Sequence, residues 1–416
     1  MKRQEKKEMG TARTFVVVAG IVAGVVVASV FFFYPPKVSA ENFKVGFIAP
    51  LSGPYATEAG HMKMGAMMAV DEINAKGGVL GRKVDLIARD DRLNPAEGER
   101  KAKELVEQEG VKYIAGALSS AVQMAINNYT KQVKVMYVSL SASDEIVKVP
   151  DFSNYTFHEY MTVYMINYPL GNYAFNNKLG KKFYILLADY GFGHQNLADM
   201  SKVINARGGE IIGTARHPLG TSDFTTFLPK ILAAKPDILY LANYGKDQIN
   251  FLKQAFSFGF HKQMRILTAG TSLTMAKEIG PEAMEGVYSL IVFYWELEDS
   301  IPQAKKANQE FRKRAGMPLT EFGATGYSGV LEMLEGINRA GTDNVEQVIK
   351  AMEGHEYSHY KGPQKWRKCD HQSIQDVYVY MGKKRSEITR EWDLFKIVDK
   401  GSGEGIMQTC AELGHK

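Results

Sequence analysis

Hydrophobic positions along the chain alternate between two spacings. Residues 43–50 (FKVGFIAP) form a short β-rich run that stops at a Ser52-Gly53-Pro54 turn. Residues 60–76 then place Met64, Met67, Met68 and Ile73 at helical spacing, and Gly77-Gly78 ends that helix. The rhythm continues with a strand over 84–88, a charged amphipathic helix over 95–109, a strand over 113–117, a helix over 121–131 and a strand over 135–140. It restarts after residue 160. Strands are predicted over 182–188, 210–215, 238–242 and 265–269, and helices over 193–207, 224–234 and 248–258. Alternating strands and helices imply parallel sheets covered by helices on both faces. The restart implies two such α/β units in series.

Length agrees with that division, because 416 residues exceed one ordinary domain. With 45% hydrophobic and 23% charged residues, the composition is that of a globular protein. The chain holds 21 Tyr, 21 Phe and 3 Trp; much of that must be core, but Tyr is also a common lining of small-molecule sites.

The net charge of +5 is concentrated at the N-terminus. Six of the 51 basic and two of the 46 acidic residues lie in the first 40, which leaves the rest at +1. A near-neutral body gives no electrostatic reason to expect a nucleic-acid partner. In residues 1–40 a basic head precedes an uncharged apolar run from Phe15 to Tyr34. Pro35-Pro36 break the run, and Val38-Ser39-Ala40 supplies a small-x-small cleavage pattern. This segment reads as a signal peptide with the mature chain starting at Glu41, or as an uncleaved N-terminal anchor, since about 20 apolar residues suffice to span a bilayer. Both place the body outside the cytoplasmic membrane. Cys369 and Cys410 are the two cysteines. In an oxidising compartment they are expected to pair; the alternative is two buried thiols. Their spacing matches no zinc pattern.

In parallel sheets, ligands bind beyond the carboxyl ends of the strands. Five segments sit there: 51–55, 118–120, 139–143, 189–194 and 243–245. They are rich in hydroxyls, glycine and aromatics. Serine hydroxyls and free amides at a helix N-terminus can cradle a carboxylate without an arginine. The candidate ligand-binding residues are Ser119, Ser120, Ser141, Ser143, Phe192 and Tyr244, followed by Tyr190 and Tyr55. Taken singly, each serine could equally cap the next helix, and Tyr190 and Phe192 could be core.

The opening block FKVGFIAPLSGPYATEAG, followed by GAMMAVDEINAKGGVLGRKVDLIARDD, resembles the branched-chain amino-acid binding family of periplasmic proteins. These are the solute receptors of ABC importers. GALSSAVQMA, the DYGFGH segment and PDILYLANYGKDQINFLKQAFSFGF extend the resemblance over 41–416. It implies two Rossmann-like lobes of the type I periplasmic-binding fold, joined by three crossings and closing on a solute in the cleft between them. The crossings are expected near 157–159, 291–293 and 362–366. One lobe would then comprise 41–157 with 293–362, and the other 158–292 with 363–416. Segments 158–162 and 293–296 would lie beside the cleft. Amino-acid binders of the family hold the ligand's ammonium with an acid after the strand that corresponds to 265–269. Here that stretch reads Thr268-Ala269-Gly270-Thr271, with no carboxylate. A buried ammonium without a partner is costly, which argues against an α-amino acid unless Glu58, Asp144, Glu159, Glu296 or Asp247 substitutes. The DYGFGH segment and residues 367–372 resemble the subgroup that takes aromatic acids and amide-like compounds.

An enzyme is not expected, because no nucleophile elbow or phosphate loop is present. His355-Glu356-Tyr357-Ser358-His359 does match the letters of a zinc-hydrolase motif. That motif works on a stable helix, and Gly354 and Gly362 flank this one. A zinc hydrolase is thus the remote alternative, and the ligand-sensing subunit of a membrane signalling system is the nearer one. The sequence predicts an exported α/β receptor that works as a monomer with ABC permease subunits, captures a small carboxylate-containing solute, and has no cofactor and no metal.

Overall fold

A computed structural model of the protein describes residues 41–416; residues 1–40, where the signal peptide or anchor is expected, lie outside the described residues. The chain opens with β1 (Phe43–Ala49), α1 (Ala56–Ala75), β2 (Val84–Asp90), α2 (Pro95–Glu107), β3 (Tyr113–Gly116), α3 (Ser120–Val133), β4 (Met136–Ser139) and β5 (Thr156–His158). These strands form one parallel sheet in the order β2-β1-β3-β4-β5. The second series is α4 (Val163–Asn176), β6 (Lys182–Ala188), α5 (Gly191–Ala206), β7 (Glu210–His217), α6 (Leu228–Ala234), β8 (Ile238–Ala242), α7 (Gly245–Ser257), β9 (Arg265–Thr268), α8 (Leu273–Ile279), α9 (Pro281–Met284) and β10 (Val287–Ile291). Then come α10 (Pro302–Ala315), α11 (Glu321–Ala340), α12 (Val345–Met352), β11 (Glu356–Ser358), β12 (Pro363–Trp366), β13 (Ser373–Ile374), β14 (Val377–Gly382) and β15 (Phe395–Gly401). The second sheet runs β15-β14-β10-β9-β8-β6-β7. It is parallel from β7 to β10 and closed at one edge by the antiparallel β14–β15 pair.

β6 and β8 are apolar along almost their whole length and buried, as strands covered on both faces must be. The first lobe is completed by α11, which lies along α1. Small residues set that spacing. A Cβ at Gly65 would fall 1.9 Å from the Gly323 carbonyl oxygen, and one at Gly326 would fall 2.1 Å from that of Met62. This close approach brings the start of α11 over the ends of the first sheet.

The chain leaves the first sheet between β5 and α4 and returns toward it after β10. The third crossing differs. Residues 363–374, expected in the second lobe, form β12 and β13, which pair with β11. Trp366 and His371 rest on Phe157 at the end of the first sheet, at centroid distances of 5.1 and 4.2 Å. Aromatic burial against Phe157 thus holds this segment in the first lobe, and the crossing falls at Gln375-Asp376. The end of the chain also departs from the expected boundary. Leu413 is buried with Ile48, Ile146 and Val147, its carbonyl accepts from the Val149 N–H (3.0 Å), and Cys410 is disulfide-bonded to Cys369. The C-terminal tail therefore crosses back, and four passages connect the lobes.

The crossings meet at a buried charge. Glu159 is fully buried and lies 2.7 Å from the Lys361 ammonium, which is itself buried. Tyr357 Oη (2.8 Å) and Gln364 Nε2 (3.0 Å) also donate to its carboxylate. Gln375 Nε2 donates to the Glu159 carbonyl (2.7 Å) and Gln372 Nε2 to that of Tyr160 (2.7 Å), which ties the first and third crossings together. Burial pulls the Lys361 ammonium below its usual range, and Glu159 opposes that effect. Lys361→Met leaves the Glu159 charge without its cation and should cost about 3 kcal/mol in denaturant unfolding, with most of the loss recovered in Glu159→Gln/Lys361→Met.

Candidate functional site

Much of the lining of the cavity between the lobes begins where a strand gives way to a helix. Tyr55, Ser119, Tyr190 and Tyr244 are the residues directly before α1, α3, α5 and α7, the helices that follow β1, β3, β6 and β8. Ser141 and Ala142 follow β4, and Ala269 and Gly270 follow β9. The cavity opens between the two lobes at the carboxyl ends of both sheets. Ser119, Ser120, Ser141 and Tyr55 line it from the first lobe, and Tyr190, Phe192 and Tyr244 from the second. Ser143 does not line it; its hydroxyl accepts from the Glu145 N–H (3.2 Å) and caps a short turn. Tyr160, Met161, Ile166 and Phe322 also line the cavity. The first two lie in the 158–162 crossing, expected beside the cleft. The 293–296 segment, expected there too, turns away: Tyr294 and Trp295 both donate to the Trp392 carbonyl. Phe322 comes from the start of α11, which no post-strand rule selects.

The aromatic wall is continuous across the lobes. Tyr55 meets Tyr244 edge-on (centroids 5.7 Å, 88°), Tyr244 meets Phe322 (6.1 Å, 79°), and Phe322 stacks on Tyr160 (5.7 Å, 17°). The hydroxyls of Tyr55 and Tyr190 lie 3.4 Å apart. Gly245 makes the approach possible: at φ 64° it suits a residue without a side chain, and a Cβ there would strike the Tyr55 ring at 2.3 Å. The Tyr244 hydroxyl is buried and completes no hydrogen bond within the protein. The polar end is built on α3. Ser120 Oγ donates to the Ala142 carbonyl (2.7 Å), while Ser119 makes no cap bond to its own helix. The first amides of α3 have no intrahelical acceptor, and the helix dipole favours an anion there.

Among the described residues, no charged side chain lines this cavity. The acids nearby are engaged in holding the lobes together. Glu58 Oε1 accepts from Thr274 Oγ1 (2.9 Å) and Ser272 Oγ (3.2 Å), at the start of α8 across the cleft. Burial, with the neighbouring Glu58, pushes the Glu321 carboxyl up to about 8, against the weaker pull of the Leu273 N–H. Asp144 accepts from the Tyr164 N–H of α4 (2.9 Å), and its own N–H donates to Gln195 Oε1 (2.9 Å). Burial, with Asp199 facing it, pushes the Asp144 carboxyl up to about 8, against the opposing pull of Lys148. The other acids weighed as ammonium partners are also committed elsewhere: Glu159 to Lys361, Glu296 to Arg390 (2.9 Å), and Asp247 to the Gly220 N–H (3.0 Å).

Residues 42–387 match the sequence family model described as periplasmic binding protein. The chain belongs to that family. This periplasmic binding protein is 26% identical over 331 residues to Leu/Ile/Val-binding protein homolog 6 of Brucella melitensis, covering 78% of this chain and 83% of that one. Its fold is that of the amino acid ABC transporter substrate-binding protein from Pseudomonas fluorescens Pf-5, at a TM-score of 0.83 and 26% identity over 91% of this chain and 100% of the other. A solute-binding protein of an ABC transporter from Rhodopseudomonas palustris BisB5, solved with 3,4-dihydroxybenzoic acid, is 25% identical at a TM-score of 0.78, over 87% of this chain and 98% of that one. The binding protein is therefore a periplasmic solute receptor of an ABC transporter and not an enzyme; such receptors work with permeases in the membrane. Among the described residues, no helix is long and apolar enough to cross a membrane.

The raised carboxyls of Asp144 and Glu321 fix a sign. The folded form keeps protons that the unfolded form releases above its ordinary carboxyl range, so their contribution is full in acid and is lost as pH rises through about 8. The melting temperature of the receptor should fall between about pH 5 and pH 9. Asp144→Asn, which keeps an oxygen for the Tyr164 N–H, should flatten that fall in a pH series of thermal melts.

Proposed function

We propose that this receptor captures a small aromatic monocarboxylate. One observation carries the reading: the cavity offers hydroxyls and free amides at the start of α3, flat aromatic walls, and no charged side chain to meet an ammonium. The carboxylate sits against Ser119, Ser120 and Ser141 with the α3 dipole behind it. The ring lies among Tyr55, Tyr160, Phe192 and Tyr244, and the unpaired Tyr244 hydroxyl is free for a ring substituent or a bound water. The aromatic acid held by the R. palustris neighbour supports this class. An α-amino acid, the cargo class named for the P. fluorescens neighbour, would have to draw Glu58 or Glu321 away from α8.

Capture proceeds by hinge closure about the crossings. The solute first touches the serines of the first lobe. Tyr190, Phe192 and Tyr244 then add contacts that exist only in the closed form, and such differential contacts shift the population. The closed face is what the permeases read. In this reading the protein is a monomer, takes no nucleic acid, and is exported by its N-terminal segment with cleavage after Ala40.

Calorimetric titration of the 41–416 chain tests the ligand class. Benzoate-type acids should bind and leucine should not; binding of leucine with no response to aromatic acids would overturn the assignment. Tyr244→Ala should weaken binding by about 1.5–3 kcal/mol, roughly tenfold to a hundredfold, while the unliganded protein stays folded by circular dichroism. Unchanged affinity would remove Tyr244 from the site.

A further inference from the structure

Three polar groups outside the solute cavity face one another without completing hydrogen bonds. They lie where the end of α11 meets β11. The segment from His355 to His359 is not helical: β11 takes Glu356–Ser358, so the two histidines flank a strand and point to the same side. That geometry differs from the helical zinc-hydrolase motif, and no hydrolytic chemistry is attached to it. Both imidazoles instead reach Glu332. His355 Nδ1 lies 2.8 Å from Oε1, and His359 Nε2 lies 3.4 Å from Oε2. Tyr357, between them, keeps its ring parallel to that of His355 (3°) and 5.2 Å from that of His359.

The Glu332 side chain is wholly buried, at 0% exposure. Its Oε2, with His355 Nδ1 and His359 Nε2, forms no hydrogen bond of acceptable geometry. A buried carboxylate whose unbonded Oε2 faces the His359 imidazole, with His355 beside its other oxygen, is an arrangement that a shared cation would complete. One helical turn further on, Glu335 brings a second carboxylate to the same face, and donor atoms of Glu332, Glu335 and His359 all lie within 4.8 Å of one another. Two protein cations compete there: Arg339 Nη2 donates to Glu332 Oε1 (2.9 Å), and Lys76 Nζ lies 3.6 Å from Glu335. Neither engages Glu332 Oε2 or the histidine nitrogens.

We propose that Glu332, Glu335 and His359, with His355 beside them, bind one divalent transition-metal ion of the zinc class. Imidazole with carboxylate suits zinc, cobalt, nickel and copper better than magnesium or calcium, which favour oxygen donors alone. Donors on one such ion lie roughly 3–3.5 Å apart, as bonds of about 2.0–2.2 Å require. Binding therefore draws the donors together, and Glu335 and His359, both partly exposed, have room to move. The remaining position faces a groove lined by Glu72, Lys306, Ser358 and Tyr360, where water completes the shell. The site is separate from the solute cavity. Phe322 and Glu335 lie on the same helix, roughly 20 Å apart at 1.5 Å per residue.

The test uses untagged protein stripped with a chelator, then titrated with Co²⁺ as an optical probe and with Zn²⁺ in competition. One Co²⁺ per chain should bind with a visible ligand-field band, and one equivalent of Zn²⁺ should abolish the band. His359→Ala and Glu335→Gln should each weaken uptake by roughly a hundredfold or more, beyond the range expected for loss of an outer partner. Both variants should keep the metal-free melting temperature and the solute affinity of the parent chain, which separates metal loss from misfolding. Absence of Co²⁺ uptake, or uptake unchanged in both variants, would overturn the site.

Discussion

Helix N-termini face the cleft from both lobes, and the structure depends on what meets them. A parallel strand ends, the chain turns, and a helix begins with its amides directed back toward the sheet edge. Tyr55, Ser119, Tyr190 and Tyr244 all stand at such a turn. Where α3 begins, the amides and the Ser119 hydroxyl face the cavity. Where α4 and α8 begin, an amide and two hydroxyls are taken by acids of the opposite lobe, Asp144 on α4 and Glu58 on α8. The cleft therefore presents helix starts in two ways: engaged between the lobes at α4 and α8, and facing the cavity at α3.

That division explains a cavity without charge in a cleft ringed by carboxyls. Glu58, Glu321 and Asp144 are all buried, and burial pushes each carboxyl above its ordinary range. Asp144 and Glu321, pushed up to about 8, repel an anionic solute less than free carboxylates would, and they offer an ammonium little. The hinge follows another rule. Glu159 and Lys361 are buried as a matched pair, with Tyr357 and Gln364 also donating to the carboxylate, so the charge beside the first and third crossings is compensated. The C-terminal tail adds a fourth passage, fastened to the first lobe through Cys410 and Leu413.

Much of this was legible in the chain. Apolar runs bounded by glycine gave the strands, and the rule that ligands sit beyond strand ends led to every candidate residue found in the cavity. Ser143 misled because a serine after a strand looks the same whether it faces a ligand or caps the next turn. Phe322 was out of reach, since it arrives on a helix whose position depends on Gly65, Gly323 and Gly326 letting two backbones touch. The third crossing was misplaced because Gly362-Pro363 resembles a boundary, while the aromatic stacking of Trp366 and His371 on Phe157, which holds 363–374 in the first lobe, is long-range. Glu321 went unconsidered as a cleft acid for the reason that hid Phe322. HEYSH carried a helical pattern by its letters, but β11 shows that the same spacing of four also aligns two histidines on a strand.

Small-angle scattering of the 41–416 chain, with and without saturating benzoate, tests most directly the claim that an aromatic carboxylate draws the two rings of helix N-termini together. The account predicts a smaller radius of gyration with benzoate and none of that contraction with leucine. A radius unchanged by benzoate that calorimetry shows to be bound, or a contraction produced by leucine instead, would contradict it.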